Sequence, residues 1–288
     1  MSNKTSSGGS SSILKSVFAV SVMVVALIVS FIVYYKVLGA SSNFNDDGKG
    51  HLEPVDVAKN AIGHWYATVY KGGFIVPVIM SMLIMVIAFS IERLLTITRA
   101  KGNGNMDNFL KKINVYLESQ DLDGAIAQCD KQKGSIGNVI KAGLVAYKTV
   151  LNDNTMDKEQ KLADIKKELE EATMLELPML EKNLVIIATI ASIATLMGLL
   201  GTVLGMIRAF SALAATGAPD ASALSTGISE ALINTAFGIG TSALAIILYN
   251  TFTSSIDALT YRIDEGGFTI AQNFDVHYRK SLKAAKQA

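Results

Sequence analysis

The sequence predicts an all-α integral membrane protein. Four transmembrane helices, one of them an additional N-terminal span, accompany a water-soluble helical region built from long extensions of the membrane helices. Three observations lead there. Half of the 288 residues are apolar and only 4 are proline, with a mean hydropathy of +0.36, a membrane-like profile for this length. Residues 183–213 form a near-pure apolar run, longer than the roughly 20 residues that cross a bilayer. Residues 98–182 differ in kind: they are charged, rich in helix formers and interleaved in sign, which reads as a solvated helical surface.

The elements follow in order. Residues 1–12 are rich in serine and glycine and read as a disordered lead. Residues 13–38 are apolar and end near Tyr34 and Tyr35. A cleaved signal peptide is the rival reading, but its apolar core runs roughly 7–15 residues and a small residue precedes its cut. Here the run is longer and Leu38 occupies the position where a small residue is required, so a retained anchor helix is expected. Residues 39–72 are polar, then aromatic, with Trp65, Tyr66 and Tyr70 ahead of Phe74. Such a cluster predicts an interfacial helix leading into the next span, residues 73–97. Residues 98–182 should form a soluble helical hairpin. Gly134 and Gly137 break it, and Leu162, Ile165, Leu169 and Ala172 recur at helical spacing in its second half. The third span occupies residues 183–214 and the fourth 219–253, joined through Gly217, Pro219 and Asp220. Residues 254–288 continue as an amphipathic helix, interrupted at Gly266-Gly267, with a tail carrying Arg279, Lys280, Lys283 and Lys286.

Basic residues near span ends set the orientation. Arg93, Arg99 and Lys101 flank one end of the second span, Lys166, Lys167 and Lys182 precede the third, and the basic tail follows the fourth. The connection between spans three and four has no Lys or Arg. The helical region and both termini are therefore expected in the cytoplasm, with Lys36 a minor exception.

Composition also excludes. A net charge of +1 gives no electrostatic case for nucleic acid. The single cysteine, Cys129, forbids an intrachain disulfide. The three histidines, His51, His64 and His277, lack metal-ligand spacing. No nucleophile elbow, phosphate-binding loop or dinucleotide fingerprint occurs, so neither an enzyme nor a cofactor is expected.

Two helices carry the remaining signal. Ala191, Ala194, Gly198, Gly201 and Gly205 fall on one helical face, and Ala231, Thr235, Gly238, Ser242 and Ala245 form a matching stripe on the fourth span. Small residues let helices approach closely in lipid, and these stripes are expected to form contacts between subunits. The fourth span also holds Glu230. An intramembrane carboxylate costs about 3 kcal/mol on insertion scales and is seldom idle. It could pair with Arg208, near the outer end of the third span, or with a partner chain, and it could share hydrogen bonds with Asn234 one turn on.

Three segments resemble the ExbB/TolQ/MotA proton-channel family, ExbB most of all. They are ATIASIATLMGLLGTVLGM, GISEALINTAFGIGTSALAIILYN, and DLDGAIAQCDKQKGSIGNVIKAGL between Asp121 and Leu144. The resemblance implies a bacterial inner-membrane motor subunit driven by the proton-motive force. It implies a homo-oligomeric ring, usually a pentamer, around the transmembrane helices of an ExbD-like single-span partner whose aspartate titrates, with a TonB-like protein passing on the work. Thr202 and Thr235 match the family's channel threonines, which makes them the expected ion pathway; hydroxyls both donate and accept. The general alternative is that each bonds its own backbone one turn back. Two departures stand out: Thr195 replaces a typical proline, and the helix at residues 13–38 is additional to the usual three spans.

Overall fold

The computed structural model describes residues 8–46, 52–153, 155–216 and 221–287. Nine α-helices and one short β-hairpin account for them: α1 (Gly8–Val33), β1 (Phe44–Asp46), β2 (Leu52–Pro54), α2 (Ala61–Tyr70), α3 (Ile75–Ala100), α4 (Met106–Glu118), α5 (Leu122–Gln132), α6 (Gly134–Leu151), α7 (Lys158–Glu181), α8 (Leu184–Thr216) and α9 (Ala221–Gln287). Among the described residues, four helical stretches are long and apolar enough to cross a membrane: Ala19–Leu38, Ile75–Ala100, and parts of Lys158–Ser211 and Leu224–Lys280. The protein is an all-α integral membrane protein, as its composition predicts.

The chain divides into two units, residues 1–90 with 186–249 and residues 91–185 with 250–288. In the first, α1 begins at Gly8, inside the serine-rich lead, because a nucleated apolar helix adds each further residue at little cost; residues 1–7 lie outside the described set. Along residues 19–38, Ala26, Ser30, Tyr34 and Leu38 are buried. This stripe of period four leaves most of the intervening side chains exposed or half-buried. At Tyr34–Leu38 the helix widens into a π turn. Asn43 Nδ2 donates to the carbonyls of Val37 (2.7 Å) and Leu38 (3.1 Å) there, groups left orphaned at the helix end. The polar segment then forms an antiparallel hairpin, Phe44 opposite Pro54, which composition did not reveal. Asn60 caps α2 by accepting from Gly63 N at 2.9 Å. Tyr34, Leu38 and Val76 form a small buried cluster with Val69, Tyr70, Met80 and Ile233 around it.

The second unit is a helical bundle. Residues 98–182 fold as four helices rather than one hairpin, because three separate start signals intervene. Asn105 accepts from Asp107 N at 2.7 Å, Asp121 accepts from Gly124 N at 2.8 Å, and Asp157 with Gln160 closes a capping box. Between α5 and α6, Lys133 and Gly134 have φ of 58° and 70°, the left-handed region that ends a helix. Gly137 lies inside α6 and breaks nothing. The core takes Phe109, Ile113 and Leu117 from α4, Ile136, Ile140 and Leu144 from α6, Ile165 from α7, and Leu259, Ile270 and Phe274 from α9.

The expected interruption at Gly266-Gly267 does not occur: α9 runs unbroken for 67 residues. The glycines serve packing instead. A Cβ at Gly266 would sit 2.9 Å from Leu110 Cδ2, and one at Gly267 would sit 3.3 Å from Leu169 Cδ1. The missing side chains admit α4 and α7, and the surrounding contacts outweigh a helix-interior glycine cost of roughly 0.5–1 kcal/mol each.

Candidate functional site at the α8–α9 crossing

The site forms where the small stripes of α8 and α9 meet within one chain. A Cβ at Gly238 would lie 2.6 Å from Ala194 O and 2.7 Å from Gly198 Cα, and one at Gly205 would lie 2.9 Å from Gly227 O and Ala231 N. A Cβ at Gly201 would lie 2.7 Å from Asn234 Cγ. These backbones touch, so the glycines are already used inside the chain. The expectation that they make the contact between subunits is corrected accordingly: two complementary stripes on consecutive helices satisfy each other first.

Close approach brings together side chains that face across the crossing. The hydroxyls of Thr202 and Thr235 are hydrogen-bonded to one another. Each also reaches backbone carbonyls: Thr202 Oγ1 lies 3.2 Å from Gly198 O, and Thr235 Oγ1 lies 3.2 Å from Ala231 O and 3.4 Å from Gly198 O. The one-turn-back backbone bond and the cross-helix pair therefore coexist. Both threonines are half-buried. Thr202 opens onto a groove of about 610 Å³ along α8, lined by Val203, Met206, Ile207 and Phe210. Two turns further along the crossing, Ser242 donates to Ala191 O. Thr195 lies on the exposed face of an unbroken α8.

Toward the other end, Glu230 is ion-paired with Arg208, as its position predicts. The carboxylate side chain is 9% exposed and the guanidinium side chain 57%. The acid is thus held in protein while the base snorkels outward. Asn234 does not share hydrogen bonds with Glu230. Its Nδ2 donates to Gly72 O at 2.8 Å, and its buried Oδ1 has no partner.

The Gly72–Gly73 turn is the part of the site that sequence reading missed. A Cβ at Gly73 would meet Glu230 Cδ at 2.8 Å and Arg208 Nη1 at 3.3 Å, and one at Gly72 would meet Ile233 Cγ2 at 2.8 Å. Gly73 also has φ of 74°, which a side chain tolerates poorly. The doubled glycine before Phe74 was the available signal. A second missed feature lies in the C-terminal part of α3. Arg93, 2% exposed, donates to Leu180 O (2.8 Å) and Met179 O (3.2 Å) and pairs with Glu92, whose Oε2 accepts from Asn183 at 3.0 Å. The arginine satisfies the carbonyls where α7 ends. Among the described residues no cluster of His, Cys, Asp or Glu could hold a metal ion.

Comparison with known proteins agrees with this geometry. The model of the MotA/TolQ/ExbB proton channel family matches residues 131–265, which include α8 and the part of α9 that crosses it. The chain is 36% identical over 88 residues to biopolymer transport protein ExbB-like 3 of Synechocystis, covering 30% of this chain and 42% of that one. It is 25% identical over 179 residues to the Tol-Pal system protein TolQ of Pseudomonas aeruginosa, covering 59% of this chain and 76% of that one. The match thus spans less than half of the Synechocystis protein and about three quarters of the Pseudomonas one. The crossing motif lies within the matched stretch, and over residues 131–265 the chain is similar to the MotA/TolQ/ExbB proton channel family.

Proposed function

We propose that the chain is a ring-forming subunit of an inner-membrane motor driven by the proton-motive force, of the ExbB kind. Copies assemble as a homo-oligomer, most simply a pentamer. Their α8 and α9 helices surround the transmembrane helices of an ExbD-like single-span protein. A TonB-like protein transmits the work to transporters of the outer membrane. Both termini and the helical bundle face the cytoplasm.

One observation carries this reading: the Thr202–Thr235 hydroxyl pair set into an apolar helix crossing. Neither hydroxyl titrates in the physiological range, so the pair cannot store a proton. It can donate and accept in turn, passing a proton or holding a water for an acid supplied by a partner. Glu230 is neutralised by Arg208 and is assigned to holding the spans in register rather than to carrying the proton. Each proton crossing about 100 mV releases roughly 2.3 kcal/mol, which is the work available per step.

A TolQ-like system is the second reading, favoured by the longer match to TolQ. Its channel is the same and its partners differ. Affinity purification of the full chain from its native membrane, followed by native mass spectrometry, tests the proposal. The expected species is a homo-oligomer retaining a small single-span protein with one intramembrane aspartate. A stable monomer, or a ring without such a partner, contradicts it.

A further inference from the structure

Helix α2 has its faces reversed for a helix in water. Ala61–Tyr70 contains no Asp, Glu, Lys or Arg. Its small residues point inward: Gly63 and Ala67 are buried, and His64 Nδ1 makes a 2.8 Å bond with Val55 O beside the hairpin. Its large apolar residues point out, with Ile62 65%, Trp65 66% and Tyr66 39% exposed. These three occupy positions i, i+3 and i+4, one face of a helix. The C-terminal end of α2 is tied to two spans. Tyr34 at the end of α1 donates to Tyr70 O at 2.8 Å, its ring stacked 4.7 Å from that of Tyr70. At the same end, Gly73 N donates to Tyr70 O at 3.2 Å, just before α3 begins at Ile75. Tyr35 and Phe74, at those span ends, are 56% and 59% exposed.

We infer that the Ile62–Trp65–Tyr66 face of α2 is bedded in lipid, at the level of the headgroups and upper acyl chains beside the ends of α1 and α3. The occupant follows from continuity. The lipid-facing surfaces of the two flanking spans end at Tyr35 and Phe74, and the aromatic face of α2 prolongs that surface sideways. Tryptophan and tyrosine, with an apolar body and one polar tip, fit the bilayer interface, and an amphipathic helix with such a face lies in its plane. The polar hairpin covers the opposite side. The additional helix α1 thereby gains a function: through Tyr34 it holds α2 at a set depth in the interface. This inference is independent of the ion pathway.

Trp65 is the single tryptophan of the chain, so its fluorescence reports this face alone. The full chain is placed in nanodiscs of phosphatidylcholine brominated either near the carbonyl end or near the methyl end of its acyl chains, and aqueous acrylamide is titrated separately. The expected result is about twofold stronger quenching by shallow than by deep bromines, with weak quenching by acrylamide. Ile62→Glu, at an exposed position, should fold normally, lower the bromine quenching and raise that by acrylamide. Efficient acrylamide quenching without bromine quenching would place the face in water and overturn the inference. Resistance to both quenchers would place it against protein, such as a second copy, and overturn it equally. Unchanged quenching in Ile62→Glu would remove Ile62 from the bedded face and refute the assignment as stated.

Discussion

Gly238→Ala and Gly240→Ala, two residues apart on α9, separate close packing from mere helix propensity. A Cβ at Gly238 meets only backbone: Ala194 O at 2.6 Å, Gly198 Cα at 2.7 Å and Gly198 N at 3.0 Å. Relief from 2.6 Å to an ordinary 3.4 Å contact requires the two helices to part by about 0.8 Å at that point, since no flexible side chain can give way. Overpacking of this kind costs about 1–3 kcal/mol, against roughly 0.5–1 kcal/mol returned by replacing a helix-interior glycine. The net loss is at most about 2.5 kcal/mol, with the displacement falling one turn from the Thr202–Thr235 pair. A Cβ at Gly240 meets nothing within 4 Å, so alanine there keeps the propensity gain without the clash. Thermal unfolding in detergent and proton flux in liposomes containing the single-span partner would be measured for both. Gly240→Ala should unfold at or above the wild-type temperature and conduct normally. Gly238→Ala should unfold lower and lose most of its flux. Wild-type stability and flux in Gly238→Ala would refute the argument that backbone contact sets the hydroxyl geometry.

Three further outcomes are expected. Glu230→Gln keeps the size and hydrogen bonding and should retain part of the activity, whereas Glu230→Ala strands the Arg208 guanidinium at a cost of about 1–3 kcal/mol and should lose more; equal inactivity of the two in rings of equal stability would make Glu230 a proton carrier. Arg93→Ala exposes Glu92 and two buried carbonyls and should destabilise by up to about 3–5 kcal/mol, read as a lower unfolding temperature, and an unchanged temperature would show the latch to be idle. Burial pushes the Cys129 thiol up to about 12, so in the folded protein the thiolate fraction near pH 8 is about a thousandfold smaller than for a free thiol; iodoacetamide should label it slowly until denaturant is added, and rapid labelling of folded protein would contradict its packing.

The membrane helices and their stripes were legible in the sequence because apolar length and small-residue spacing are local properties. Thr202 and Thr235 stood out through the resemblance to the family's channel threonines, and Glu230 through the cost of a carboxylate inside a membrane span. What escaped depended on contacts between distant segments. Gly266 and Gly267 read as a break because propensity is local, whereas the space they leave for Leu110 and Leu169 is tertiary. The matched stripes of α8 and α9 gave no sign of whether they would pair within a chain or between chains. Asn234 could have turned toward Glu230, and only the nearness of Gly72 O drew it away. The β-hairpin rests on strands of three residues each, too short for a period-two pattern to register.

The central claim is that the hydroxyl pair at the crossing carries the ion step. Thr202→Val and Thr235→Val keep the side-chain shape and remove the hydrogen bonds. A hydrogen bond between membrane helices contributes only about 0.6 kcal/mol on average, so both variants should assemble as stable rings. The decisive measurement is proton flux under an imposed pH gradient, in liposomes holding the complete complex, with Thr202→Ser and Thr235→Ser as hydroxyl-restoring controls. Flux is expected to vanish in both valine variants and to return in both serine variants. Wild-type flux in either valine variant, within an intact ring, would contradict the claim and leave its threonine as a backbone-bonded packing residue.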